Sequence, residues 1–202
     1  SLKEMGCKAF HIPHSVHIDI FKPKQKENKK PIVLYVGKLN EAKGIRSILK
    51  LAREFKRDAK FIFVGSGPLE KEIKDNPDVD FLGSIKNMEK LAEIYRNSDI
   101  FILNSYKTPE WEELFGRVLI EAMASSLAII STNCVGPREI INDGKNGFLI
   151  EQKNDKQLFE RFNLLLKDKK LREKLGECAR KDAEEKYDIN KISKDWWKVI
   201  NE

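Results

Sequence analysis

Cysteine and histidine are too scarce in this sequence to build a site from, with three of each among 202 residues. Cys7, Cys134 and Cys178 are odd in number and far apart. Neither a disulfide framework nor a Cys-x-x-Cys metal pair is readable, and three free thiols are expected. His11, His14 and His17 stand three apart. Pro13 breaks the helix that would align them, and no carboxylate is at hand to orient an imidazole. No metal is expected. Long apolar runs are also missing: none approaches the roughly 20 residues of a membrane span. No secretory leader is read, because Lys3, Glu4 and Lys8 interrupt the first ten residues. The expected setting is reducing and cytoplasmic. No internal repeat or low-complexity segment stands out.

Charge, by contrast, is plentiful. Charged residues make up 35% and apolar ones 41%, with a net charge of +6, the balance of a soluble protein. A chain this long buries roughly 70% of its unfolded surface, so one sizeable domain can stand without staples. Much of the basic excess lies in Lys22, Lys24, Lys26, Lys29 and Lys30. Pro23 and Asn28 make that run a solvated loop. A nucleic-acid arm would want interleaved aromatics. Attraction to an anionic membrane surface, at the inner face of the membrane, is the better second use of the charge.

Residues 1–30 carry little regular pattern. From 31 onward, short apolar runs alternate with helical spacing. Pro31-Ile32-Val33-Leu34-Tyr35-Val36-Gly37 reads as a buried strand ended by glycine. Ile45, Ile48, Leu49, Ala52 and Phe55 follow at helical spacing. Further strands are expected at 60–65, 79–82, 99–103, 127–131 and 147–150, with helices between them. Pro68 marks a helix start, Asn87 a cap, and Asn190 a cap near the end. Trp196 and Trp197, with Ile192, Val199 and Ile200, are expected to dock the last helix. Such alternation implies a doubly wound parallel sheet covered on both faces. Ligands are then expected beyond the carboxyl ends of the strands.

The most informative stretch is Glu113-Leu114-Phe115-Gly116-Arg117-Val118-Leu119-Ile120-Glu121-Ala122-Met123-Ala124. Phe115-Gly116 marks the turn into a helix, so Glu113 sits on the loop before it and Glu121 inside it. Apolar neighbours leave two options for Glu121: the helix's outer, wet side, or deliberate burial with partners. A vicinal diol would be a natural partner, since two hydroxyl donors match two carboxylate oxygens.

This Glu-x7-Glu pattern, with Phe-Gly after the first Glu and Ala-Met-Ala after the second, resembles the signature of family-4 retaining glycosyltransferases. Val36-Gly37-Lys38-Leu39 and Lys43-Gly44 resemble that family's phosphate-binding loop. Val64-Gly65-Ser66-Gly67-Pro68 is similar to its Gly-x-Gly-Pro turn, and Phe81-Leu82-Gly83-Ser84-Ile85 to its base-contacting loop. Val135-Gly136-Pro137-Arg138-Glu139-Ile140-Ile141 and Asn142-Asp143-Gly144-Lys145-Asn146-Gly147-Phe148-Leu149 follow in family order. Ile12-Pro13-His14-Ser15-Val16 with Phe21-Lys22-Pro23 resembles the segment joining two domains. Departures are Lys38 for a usual Arg, Leu114 for a frequent Gly, and Ser126 and Ala128 for a usual Gly and Pro.

The resemblance implies a GT-B fold, two Rossmann-like domains facing across a cleft. It divides the chain into a linker segment at 1–30 and a nucleotide-sugar-binding domain at 31–202. The acceptor-binding domain would precede it. The implied reaction moves a sugar, with retention, from a nucleoside-diphosphate sugar to an acceptor hydroxyl, without metal or other cofactor. Glu113, Lys38 and Lys43 would be catalytic, Glu113 beside the sugar and the lysines on the diphosphate. Glu121 would hold the ribose. Gly37, Leu114 and the backbone of Phe115, Gly116, Arg117 and Val118 would line the donor site, and Ile85 would meet the base. A non-catalytic nucleotide-sugar-binding module is the alternative expectation.

Overall fold

The computed structural model describes residues 10–23 and 28–201. Cys7, Lys24 and Lys26 lie outside the described residues.

Six short strands form one sheet: β1 (Ile32–Val36), β2 (Lys60–Val64), β3 (Asp80–Phe81), β4 (Ile100–Leu103), β5 (Ala128–Thr132) and β6 (Phe148–Ile150). The order is β3-β2-β1-β4-β5-β6, and every pairing is parallel. The sheet is buried on both faces, which is why its strands read as apolar runs rather than alternations. Along β1 the side chains nevertheless divide with period two. Val33 and Tyr35 join one core, and Leu34 and Val36 the other.

Helices cover both faces. The first core takes its partners from α1 (Ile45–Phe55), α2 (Glu70–Lys74) and α6 (Asp155–Lys167), through Ile45, Ile48, Ile73, Leu158 and Phe162. The second draws on α3 (Met88–Arg96), α4 (Arg117–Ala124), α5 (Val135–Ile140) and α7 (Lys169–Lys186), through Tyr95, Leu119, Met123, Ile140 and Ala179. The stretch before β1 joins this second core with Val16 and Phe21. Val16 donates to the Tyr187 carbonyl and accepts from Ile189, which ties it to the start of α8 (Ile189–Ile200). No helix among the described residues is long and apolar enough to cross a membrane.

Three local expectations are corrected. The cap of α8 is Asp188, whose Oδ1 accepts from Asn190 N at 3.0 Å. A carboxylate two residues earlier reaches the free N–H, so Asn190 lies inside the helix. Pro68 lies in the turn before α2, which starts at Glu70. The third concerns α8 itself: Ile192 is buried, but Trp196, Trp197 and Ile200 are 51%, 69% and 74% exposed. Ile192, near the start of that helix, is its one buried residue, and Val199 is half-buried.

Candidate functional site

Because all six strands run the same way, the loops after them share one rim. Gly37 follows β1, Gly65 follows β2 and Gly83 follows β3. The 104–116 loop follows β4 and leads into α4.

The β1 and β2 loops lie against each other. Gly37 N donates to the Val64 carbonyl at 3.0 Å, and Leu39 N to that of Ser66 at 2.9 Å. Gly65 has φ +145°, and a Cβ there would overlap the Gly37 carbonyl oxygen, so only glycine fits. Between these loops and Ser84, Ile85 and Leu91 opens a cleft of about 450 Å³ that includes Gly37 and Lys38. The Tyr35 hydroxyl donates to the Lys38 carbonyl at 2.8 Å, and the Lys38 side chain is exposed.

Lys43 ends a 3-10 turn (Glu41–Lys43) that Asn40 caps. Its ammonium pairs with Glu113 Oε2. Both side chains are nearly buried, 14% and 12% exposed. The ammonium also sits 4.5 Å from the centre of the Trp111 ring, a cation–π contact worth about 0.5–2 kcal/mol. Ser105 Oγ adds a longer bond to Glu113 Oε2 at 3.4 Å. Glu113 therefore has a cation, a hydroxyl and an indole around it. The burial of the neighbouring Tyr35 phenol and the charge of Glu113 both push that phenol's pKa up.

The loop carrying Glu113 is held from behind. Gly136 N donates to the Glu113 carbonyl at 2.9 Å and Val135 N to Glu112 Oε1 at 3.1 Å. Gly116 then turns the chain with φ 87°, ψ 62°, and no side chain caps α4. The first bond back is donated by Leu119. The N–H groups of Arg117 and Val118 are left for an acceptor beyond the helix start, where the dipole favours an anion.

Glu121 is 8% exposed, so deliberate burial is the correct option of the two. Its Oε2 accepts from the Tyr95 hydroxyl at 3.0 Å, and its Oε1 lies 3.7 Å from Arg117. Burial raises the carboxyl's pKa; the Tyr95 bond and Arg117 partly offset it. Leu114 is 74% exposed and Phe115 lies between the rings of His14 and Tyr187. Lys43 and Glu113 are thus in contact, Gly37, Lys38 and Ile85 share the cleft, and Glu121 stands on the helix that starts at the same rim.

The sequence and the fold can be set beside known proteins. The family model for glycosyl transferases group 1 matches residues 17–182. This chain belongs to that family. Spore coat protein SA of Bacillus subtilis is 33% identical over 181 residues, covering 81% of this chain and 47% of that protein. The N,N'-diacetylbacillosaminyl-diphospho-undecaprenol alpha-1,3-N-acetylgalactosaminyltransferase of Campylobacter jejuni is 34% identical over 179 residues, covering 86% and 45%. The chain thus spans less than half the length of both relatives. Among solved structures, the C-terminal domain of the group 1 transferase LpcC from Francisella tularensis superimposes with a TM-score of 0.72 at 27% identity, covering 86% of this chain and 99% of that one. Anabaena HepE, solved in complex with UDP and glucose, gives 0.81 at 18% identity, covering 94% and 56%. The group 1 chain is a Rossmann-like half of the GT-B fold.

Three side chains that contact the candidate site are not singled out by the sequence: Tyr95, Ser105 and Trp111. Tyr95 reads as one more apolar position of α3. The other two stand in a loop without periodicity, where only the fold brings Ser105 to Glu113 and Trp111 to Lys43.

Proposed function

We propose that this chain is the donor-binding half of a retaining glycosyltransferase that moves a sugar from a nucleoside-diphosphate sugar to an acceptor hydroxyl. The observation that carries the reading is the pairing of a buried Glu121 with an uncapped α4 start on the same rim as Lys38, Lys43 and Glu113. A buried carboxylate is costly unless donors meet it, and a ribose diol supplies two. UDP in Anabaena HepE, which shares the fold, makes UDP the first nucleotide to try here.

In this reading Glu121 takes the ribose hydroxyls, and Ile85 borders the base. The diphosphate meets the N–H groups of Arg117 and Val118, with Lys38 reaching it from β1 and Lys43 from the turn. Lys43 then exchanges part of its contact with Glu113 for phosphate, and Glu113 becomes available to sugar hydroxyls. The acceptor hydroxyl attacks the anomeric carbon on the face the diphosphate leaves. The carbon–oxygen bond to phosphate breaks, and the departing phosphate oxygen takes the acceptor proton. Retention follows from that same-face attack. The protein's main task is electrostatic: it stabilises the negative charge growing on the leaving diphosphate. No step calls for a metal.

The acceptor is held by a second domain, consistent with relatives about twice this length. The 202-residue chain alone binds donor and transfers nothing.

The test has two parts. Calorimetry of the chain with UDP, GDP and their sugars finds one nucleotide that binds, and Lys38→Ala or Lys43→Ala weakens it modestly. In the two-domain protein the same substitutions cut turnover further than binding, because charge develops in the transition state. Binding of no nucleotide would reject this function; equal losses in both would reduce the lysines to ground-state binding, and brisk sugar transfer by the chain alone would overturn the need for a second domain.

A further inference from the structure

Tyr95 has no role among those above, yet its placement is the most constrained of any group touching the two acids. It is wholly buried. Its ring stacks on Phe101 at 5.7 Å and 28°, and meets Phe21 edge-on at 5.5 Å and 78°. With the ring pinned from both sides, the hydroxyl cannot swing to solvent. It has two acceptors within reach, Glu121 Oε2 at 3.0 Å and the Val118 carbonyl at 3.5 Å. The nearer, charged acceptor is the stronger.

A carboxylate has about four acceptor sites. Tyr95 occupies one on Oε2. Arg117 approaches Oε1 only to 3.7 Å, from a side chain that is 69% exposed, so water weakens its hold. Among the described residues, the single firm side-chain bond on Glu121 is thus the one from a neutral phenol. It fixes the carboxylate's rotation without neutralising it, and leaves Oε1 open.

We propose that Tyr95 is a positioning residue, whose hydroxyl anchors one oxygen of Glu121 so that the carboxylate stays aimed at the ribose diol of a nucleoside diphosphate. This rests on the donor reading above. A cation in the same place would compete with the diol, whereas an apolar residue would leave the acid free to take up a proton. Burial already pushes the Glu121 carboxyl up and the Tyr95 bond pulls it down, so removing the hydroxyl moves it further up.

Few other charges reach Glu121. Arg117 comes from its own helix and Tyr95 from α3. On α7, Arg180 is spent on the carbonyls of Ile18, Phe21 and Ala124 and on Glu184. Strands β4 and β5 carry no ionisable residue. Arg138 and Glu139 of α5 are exposed, and His14, from the segment before β1, lies on Phe115.

The experiment compares a nucleoside diphosphate with its 2′-deoxy form by calorimetry between pH 5 and 8. The pair is that of whichever of UDP, GDP or ADP binds the 202-residue chain most tightly. Wild type prefers the ribose form by about tenfold, the worth of one charge-assisted bond. Tyr95→Phe keeps the ring and both aromatic contacts, so the chain still folds, melting below wild type because buried Glu121 loses its firm donor. It weakens the ribose form about five- to thirtyfold at neutral pH, narrows the preference over the deoxy form, and moves the acid limb of binding to higher pH. Tyr95→Phe/Glu121→Ala is no weaker than Glu121→Ala alone, because the hydroxyl acts only through the carboxylate.

An unchanged preference and pH midpoint in Tyr95→Phe, with the preference lost in Glu121→Ala, overturns the role of Tyr95 and leaves the donor reading standing. Additive losses in the double variant overturn it as well. Binding of no nucleotide, or a Glu121→Ala that binds like wild type, removes the donor reading and this inference with it.

Discussion

Glu113 and Glu121 stand eight residues apart and serve the same rim, but the protein holds them by opposite means. Glu113 is matched with a cation: Lys43 pairs with it under the ring of Trp111. The Glu121 side chain is buried to much the same degree, on a helix whose neighbouring residues are apolar, and its firm partner is the neutral hydroxyl of Tyr95. The contrast suits two tasks. A carboxylate meant to receive a neutral diol gains from a partner that orients it without consuming its charge. One that stands beside a diphosphate can share its lysine, because the incoming anion rebalances the ion pair. Had both been neutralised by lysine, two donors would have to be displaced on binding. Had both been left with hydroxyls, the diphosphate would have Lys38 but not Lys43 beside it.

Substitutions can break or sharpen this contrast. The largest effect is expected for Glu121→Ala: nucleotide affinity falls by about 2–4 kcal/mol, roughly 30- to 1,000-fold, when two bonds to a charged group are lost. Calorimetry reads it directly, and a loss below threefold would make the two acids equivalent. Next comes Glu113→Gln. Affinity for whichever nucleoside diphosphate binds stays within about threefold, while the extra affinity for its sugar form over the nucleotide drops about tenfold, again one charged bond's worth. Comparable loss for both ligands would mean that Glu113 acts on the nucleotide.

Glu121→Gln probes the cost of burial. Its carboxyl pKa is raised in the fold, so the native state holds the proton more tightly than the unfolded chain does. The group's stabilising contribution is complete below the ordinary carboxylate range and is lost as pH rises through the folded value. Glutamine mimics the protonated acid and still accepts from Tyr95. The variant should therefore melt above wild type near neutral pH, with the gap closing on acidification. A gap that widens toward acid would reverse the assigned sign. The smallest effect is expected far from both acids: Trp197→Ala, on the exposed side of α8, changes stability by about 0.5 kcal/mol or less.

Much of the fold was legible because parallel strands buried on both faces must be apolar throughout, and glycines and polar caps stop them. All six strands fall on runs such as 32–36 and 60–64. Of the candidate site, the turns were legible, since Gly65 and Gly116 have backbone needs that leave a mark in the sequence. Burial of Glu121 was not, because helical spacing alone leaves both the wet and the dry face open to it. Tyr95 was missed for a related reason: its apolar ring explains its position in α3, while its hydroxyl finds a partner 26 residues away. Trp196 and Trp197 misled in the other direction. Apolar character was read as docking, but within this chain those rings face outward.

The measurement closest to the central claim is a crystal structure of the chain with the nucleoside diphosphate that it binds. The ribose hydroxyls should lie within about 3 Å of Glu121, which keeps its bond to Tyr95, and the diphosphate should rest on the N–H groups of Arg117 and Val118 with Lys43 turned toward it. A nucleotide bound elsewhere, or one whose ribose leaves Glu121 untouched, would contradict it.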